Sequence, residues 1–244
     1  MVDTPVVGSY DDYCPIAIGI EVIGDRWTPL ILRELMIGSE RFNDIHRGIP
    51  RISRSLLSHR LRMLERQGLV ERHPRPGAQA VDYRLTAAGA DLQPVLWDLG
   101  RWATRWVFTE PEEAQMDTIH LVWRLHQCVD PDALPPGRTT VEFLTTGAGS
   151  ARCWLVFEDR ESTACQIDPG YPVDVLVRGE TRELLRWFLG RISWSQARAS
   201  GGIAIAGPAA LTRRFPHWFH PSAFAAEVGA AARRESRLST SSKP

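Results

Sequence analysis

Lysine is nearly missing from this chain: Lys243 is the only one among 244 residues, and every other basic chain is an arginine, a bias that genome composition can produce without any functional cause. Also missing is any apolar run near the roughly 20 residues that a membrane-spanning helix needs, so no membrane is expected among its partners. The opening MVDTPVVGSYDDYCP has acids where a secretory signal would have a basic region and an apolar core; export is not expected, and the cytoplasm is the expected location. Cys14, Cys128, Cys153 and Cys165 lack CxxC spacing, which argues against structural zinc, and four cysteines in a cytosolic chain of this length do not make a disulfide framework. There is no Gly-rich phosphate loop and no nucleophile elbow. His217 and His220 stand three apart with no third ligand in view, so no cofactor, metal or catalytic residue is expected and the chain is not read as an enzyme.

What is present is uneven. The formal net charge is zero, yet residues 41 to 84 hold ten arginines against four acids, an excess suited to phosphate. The length permits two domains with separate cores. After Pro15, Ile16, Ile20 and Ile23 recur at helical spacing until Gly24 interrupts. Trp27 to Ile37 carries apolar residues on more than one face, as the central helix of a small bundle would, and Gly38 ends it. RFNDIHRG predicts a third short helix, broken by Gly48, Ile49 and Pro50.

Ser53 stands where an N-cap should, and Leu57, Leu61 and Leu64 follow at i, i+4 and i+7 before Gly68. One face of this fourth helix is therefore committed to packing. The other carries Arg54, Ser55, Ser58, His59 and Arg62, side chains able to reach base edges or phosphates in a major groove. A solvated polar face would look the same, but Leu69 to Arg72 and Val81 to Leu85 alternate around a Pro/Gly-rich loop, predicting a hairpin wing with Arg75 at its tip. Arg41, Arg47, Arg51, Arg75 and Arg84 are the phosphate candidates.

Cys14-Pro15, Gly24-Asp25-Arg26-Trp27-Thr28, Ile31-Leu32-Arg33-Glu34-Leu35, Arg41-Phe42-Asn43, Leu57-Ser58-His59-Arg60-Leu61, Glu65-Arg66-Gln67-Gly68-Leu69-Val70 and Tyr83-Arg84-Leu85-Thr86 together resemble the HxlR-type, MarR-like winged helix-turn-helix regulators over about residues 13 to 107. The resemblance implies a dimeric transcription regulator bound to double-stranded DNA. After the N-cap candidate Thr86, the stripe Leu92, Val95, Leu96, Leu99, Trp102 and Trp106 exceeds what the small domain can cover alone, and Pro94 should start or kink the helix that bears it. The resemblance assigns that stripe to a homodimer; packing against the second domain is the alternative.

Glu110-Pro111-Glu112-Glu113 marks a composition change, with a helix expected from about Pro111 to Cys128. TTVEFLTT, ARCWLVFED, STACQID and PVDVLVRG read as strands of a largely antiparallel sheet, Thr181 to Leu189 as a helix, GGIAIAGP as a last strand and PAALTRRFPHWF as a helix. The run from Asp174 to Phe219, taken with the preceding strands, resembles the sterol carrier protein type-two fold over about residues 117 to 220. That resemblance implies a small apolar ligand, with Trp123, Trp154, Phe157, Phe188, Trp194 and Trp218 as pocket candidates, although aromatics at such spacing are more often core. The expected organisation is thus α+β: residues 1 to 109 a winged-helix DNA-binding and dimerisation domain, 110 to 228 a sterol-carrier-like domain, and 229 to 244 a disordered tail.

Two alternatives stand beside a ligand-sensing regulator. Some proteins of the resembled family detect oxidants or electrophiles through a cysteine at the position of Cys14; Asp11 and Asp12 would raise its pKa and a nearby Arg26 would lower it. A lipid carrier or an enzyme housed in the C-terminal half, built from acid–base pairs at distant positions, is the other.

Overall fold

The computed structural model describes residues 10 to 75, 77 and 80 to 241, the stretch 237 to 241 by its helical backbone alone. The chain divides into two compact units after Trp97. In the first, α1 (Pro15–Ile23), α2 (Thr28–Met36), α3 (Phe42–Gly48) and α4 (Arg54–Arg66) precede the hairpin of β1 (Val70–Pro74) and β2 (Val81–Leu85), then the single turn α5 (Ala87–Ala90) and the start of α6 (Gln93–Trp106). The hairpin is antiparallel and in register from Val70 opposite Leu85 to Pro74 opposite Val81. Thr86 caps α5 by accepting from the Gly89 amide, and Pro94 lies in the first turn of α6, where a missing amide is harmless. Ile31, Leu32, Ile45, Leu57, Leu61 and Leu64 fill the core.

One charge is sealed into this unit. Glu34 on α2 is fully buried; its carboxylate accepts from Arg33 at 2.8 Å and from the Ser39 hydroxyl at 3.4 Å. Arg33 also donates to the Gly48 carbonyl at the end of α3. A Cβ at position 48 would sit 1.8 Å from Glu34 Oε2, so only glycine lets α3 close over the carboxylate.

The second unit begins within α6. After a 3₁₀ turn at Glu113–Gln115 come α7 (Thr118–Gln127), β3 (Thr139–Thr146), β4 (Arg152–Glu158), β5 (Glu161–Cys165), β6 (Val175–Glu180), α8 (Thr181–Phe188), α9 (Trp194–Ala199), β7 (Ile203–Ala206), α10 (Ala209–Arg214) with a 3₁₀ turn at Phe215–Trp218, and α11 (Ala225–Ser241). The sheet order is β5-β4-β3-β6-β7, with every neighbour antiparallel except β3 and β6. Val141, Phe143, Leu155, Phe157, Val175 and Val177 point to the helix-covered face and meet Leu121, Leu184, Phe215 and Trp218.

The elements differ from the sequence expectation at three places. The helix expected from Pro111 starts at Thr118, because the Asp117 carboxylate accepts from the His120 amide and fixes the N-terminus there. The connector after Leu189 contains α9, begun by a Ser193/Gln196 capping box. Most of the stretch from Gly229, expected to be disordered, is helix: α11 buries Val228 and Ala231, and its Glu235 receives the buried Arg191 guanidinium at 2.5 Å. Small side chains and a distant ion pair supply that anchoring, and neither raises local hydropathy.

Candidate nucleic-acid interface

The candidate interface is built on α4. Ser53 caps it, accepting from the Leu56 amide at 3.3 Å, and Leu57, Leu61 and Leu64 are buried. The opposite side therefore faces solvent: Arg54, Ser55, His59 and Arg62 are exposed and Ser58 is half-buried. Arg62 donates to Ser58 Oγ at 2.9 Å one turn earlier, which orders the two side chains as a pair. Arg54 is held from α3, donating to Asn43 Oδ1 at 2.8 Å with its guanidinium 5.0 Å above the Phe42 ring.

Arg41, Arg47 and Arg51 are exposed around the helix start, Arg47 lying 3.6 Å from Asp44. The two wing-side candidates are tied down. Arg84 on β2 meets both oxygens of Glu40, at 3.0 and 3.2 Å. Arg75 closes the wing loop instead of crowning it: its amide donates to the Ala80 carbonyl and its Nε to the Asp82 carboxylate, each at 3.0 Å. Positions 76, 78 and 79 lie outside the described residues.

Three supporting residues escaped the sequence reading. Asn43 and Phe42 belong to the Arg-Phe-Asn motif, but their grip on Arg54 depends on how α3 crosses α4. Asp25 accepts from the Trp27 and Thr28 amides, capping α2, and its other oxygen pairs with Arg60 at 2.5 Å. That pairing turns Arg60 away from the exposed set. The spacing of Asp25 before Thr28-Pro29 is the one local signal that could have shown the cap.

Cys14 is the N-cap residue of α1. Its thiol pKa is lowered by the backbone N–H groups of Ala17 and then Ile16. The cause is the helix start, since Arg26 stacks over Trp27. Burial pushes the Cys128 thiol up and drives Cys153 to about 12.

Of the aromatic pocket candidates, Phe157, Trp194 and Trp218 gather around Phe215, and Trp154 stands apart from them. Phe157 and Trp218 are fully buried and meet edge to face at 5.6 Å; Trp194 packs on Phe215 at 5.2 Å. Trp123 is buried on α7, and Phe188 is half-buried beside the same core. Trp154 is buried on the other face of the sheet, opposite Glu142 of β3 and Cys165 of β5.

Outward from this geometry, residues 22 to 111 match the HxlR-like helix-turn-helix family. The chain is 36% identical over 98 residues to the uncharacterized HTH-type transcriptional regulator YvaP of Bacillus subtilis, covering 39% of this chain and 91% of that one. It is 39% identical over 100 residues to the HTH-type transcriptional regulator YodB of the same organism, covering 40% and 88%. The solved reduced form of YodB superposes with a TM-score of 0.36 at 37% identity, covering 39% of this chain and 96% of that one. Among the described residues no helix is long and apolar enough to cross a membrane. A capped helix with a buried leucine face and an exposed Arg/Ser/His face, a two-stranded wing behind it, and relatives matched over nearly their whole length lead to one statement: this chain belongs to the HxlR-like helix-turn-helix family of DNA-binding transcriptional regulators.

Proposed function

We propose that the protein acts in the cytoplasm as a homodimeric regulator that lays two α4 helices into successive major grooves of double-stranded DNA. The observation that carries this is the exposed, hydrogen-bonding face of α4 opposite three buried leucines. Arg54, Ser55, Ser58, His59 and Arg62 read bases; Arg41, Arg47 and Arg51 hold phosphate, and Arg75 and Arg84 join them when their carboxylate partners give way. Dimerisation is supported by α6: Val95, Leu99, Trp102 and Trp106 fall at i, i+4, i+7 and i+11 on one face, and each is at least half exposed. Ile16 and Ile20 on α1 add exposed apolar surface.

The second unit, in this proposal, is a sterol-carrier-like domain that senses a small apolar ligand. Its five-stranded order, with a single parallel pair at β3 and β6, supports the fold assignment, and the aromatic cluster of Phe157, Trp194, Phe215 and Trp218 supplies the surface such a ligand would displace. Ligand would alter the spacing of the two winged helices and so their affinity. A second reading, redox or electrophile sensing at Cys14, is favoured by one observation, the lowered thiol pKa at the start of α1.

Fluorescence anisotropy with DNA from upstream of the protein's own gene, against a scrambled fragment at two salt concentrations, tests the regulator. Preference for the upstream fragment with a steep salt slope is expected. Equal, feeble binding to both fragments would overturn it.

A further inference from the structure

The connection from β5 to β6 must travel from the sheet edge, past β4, to the far side of β3. It crosses on the face that carries Trp154, Val156 and Thr140, which α7 and α8 do not cover, and it ends by clamping on β3: the Thr140 amide donates to Asp174 Oδ2 at 2.8 Å, and the Asp174 amide returns to the Thr140 carbonyl at 3.0 Å. The strap passes the buried Val156, while Trp154 is covered by the Arg152 guanidinium, 5.1 Å over its ring. It does not fill the space it spans. Between the strap and the β4–β5 turn lies a cavity of about 520 Å³, within the range of small-molecule sites.

Its walls have two characters. Val156 and Thr163 form the floor on the sheet, and Pro169 and Tyr171 form the strap side. Around the turn stand Glu158, Asp159 and Glu161. Arg138 pairs with Glu158 at 2.7 Å while stacking 4.1 Å over the Tyr171 ring. Among the described residues neither Asp159 nor Glu161 is in an ion pair, and Arg160 between them turns to Asp132, so the three carboxylates on the cavity are met by the single guanidinium of Arg138. Among the described residues no three His, Cys, Asp or Glu side chains converge to hold a metal ion.

We propose that this cavity binds an organic monocation, an amine or quaternary ammonium group on an apolar or aromatic body, the charge at Asp159 and Glu161 and the body against Val156, Pro169 and Tyr171. The site faces away from the aromatic core and stands independently of the sterol-carrier reading. It would make the second unit responsive to cationic compounds.

The test is titration of the full chain with berberine, a flat organic cation that fluoresces in apolar sites, and with the anionic dye anilinonaphthalene sulfonate. Saturable berberine binding is expected, and Asp159→Asn and Glu161→Gln should each weaken it about tenfold, the loss of one charge-assisted contact worth about 1.5 kcal/mol. Asn suits the left-handed backbone of Asp159, φ 50°, so that variant keeps the turn, and circular dichroism checks the fold of both. The anionic dye should respond identically in all three proteins. Unchanged berberine affinity in the variants would show that the dye sits elsewhere and overturn the proposal; displacement of berberine by millimolar calcium chloride would overturn it in favour of a metal site.

Discussion

Arg62 and Arg51 differ in what they face. Arg62 is braced by Ser58 on the exposed face of α4, whereas Arg51 sits before the helix where the DNA backbone would pass. Arg62→Ala should cost about 1 to 3 kcal/mol on the preferred DNA and relax sequence choice, while Arg51→Ala should weaken all sequences alike and lower the salt slope by about 1. Salt-dependent anisotropy on matched and scrambled DNA separates the two, and equal losses from both would refute the division of labour. At Gly48, alanine would drive a methyl into the Glu34 carboxylate; the expected loss in urea unfolding is about 1 to 3 kcal/mol, and a Gly48→Ala variant as stable as the parent would contradict the sealed carboxylate. For the thiols the sign is set by the cited causes. Cys14 ionises below the ordinary thiol range and Cys128 and Cys153 above it, so iodoacetamide should label Cys14 first at neutral pH, its rate levelling off at a lower pH than that of a free cysteine. Mass spectrometry showing Cys153 labelled at a comparable rate would contradict the ordering.

Among the elements, α11 is one that local sequence concealed. Arg191, with a side chain 1% exposed, donates to Glu110 at 3.0 Å and to Glu235 at 2.5 Å, so it joins the segment after α6 to the last helix within one unit. Phe224 lies where a Cβ at Gly100 would have to go, and Arg101 reaches Glu227 at 3.4 Å. Arg191→Ala removes the partner that Glu110 and Glu235 share, leaving Glu110 to Arg186, and should lower stability by about 2 kcal/mol, discounted from a fully buried pair because both glutamates remain about half exposed. Thermal unfolding read by tryptophan fluorescence checks it; no change in Tm would mean α11 is held by Val228 and Ala231 alone. By contrast, α4, β2 and β3 were legible without the structure. Their apolar residues follow one period for the whole element, and their ends carry Ser53, Gly68 or turn residues.

For the whole molecule, the exposed face of α6 is the feature that bears on assembly. Leu99→Asp combined with Trp102→Asp adds charge to positions that are already solvent-exposed in the single chain, so its folding should survive while self-association is lost. Sedimentation at micromolar concentration should shift from dimer to monomer, with DNA affinity falling together with it because two half-sites can no longer be held at once. A parent protein that is monomeric at that concentration would defeat the dimer.

Local sequence sufficed for the winged helix, because its cues are short-range: a cap, a leucine repeat on one face, a hairpin loop, and a basic excess confined to residues 41 to 84. It also determined the strand segments of the second unit and its mainly antiparallel character. Which of these arginines are drawn to carboxylates was settled by the assembled fold. Arg60 turns to Asp25, Arg75 to Asp82 and Arg84 to Glu40, partners up to 44 residues away that no periodicity announces. It likewise decided that Phe157 and Trp218 pack against each other while Trp154 lies on the opposite face, and that a strap over that face leaves a negatively charged cavity. The physical reason is common to these cases. Caps and periods are properties of a few consecutive residues, whereas the pairing of a charge and the face given to an aromatic ring depend on which strand or helix arrives beside it.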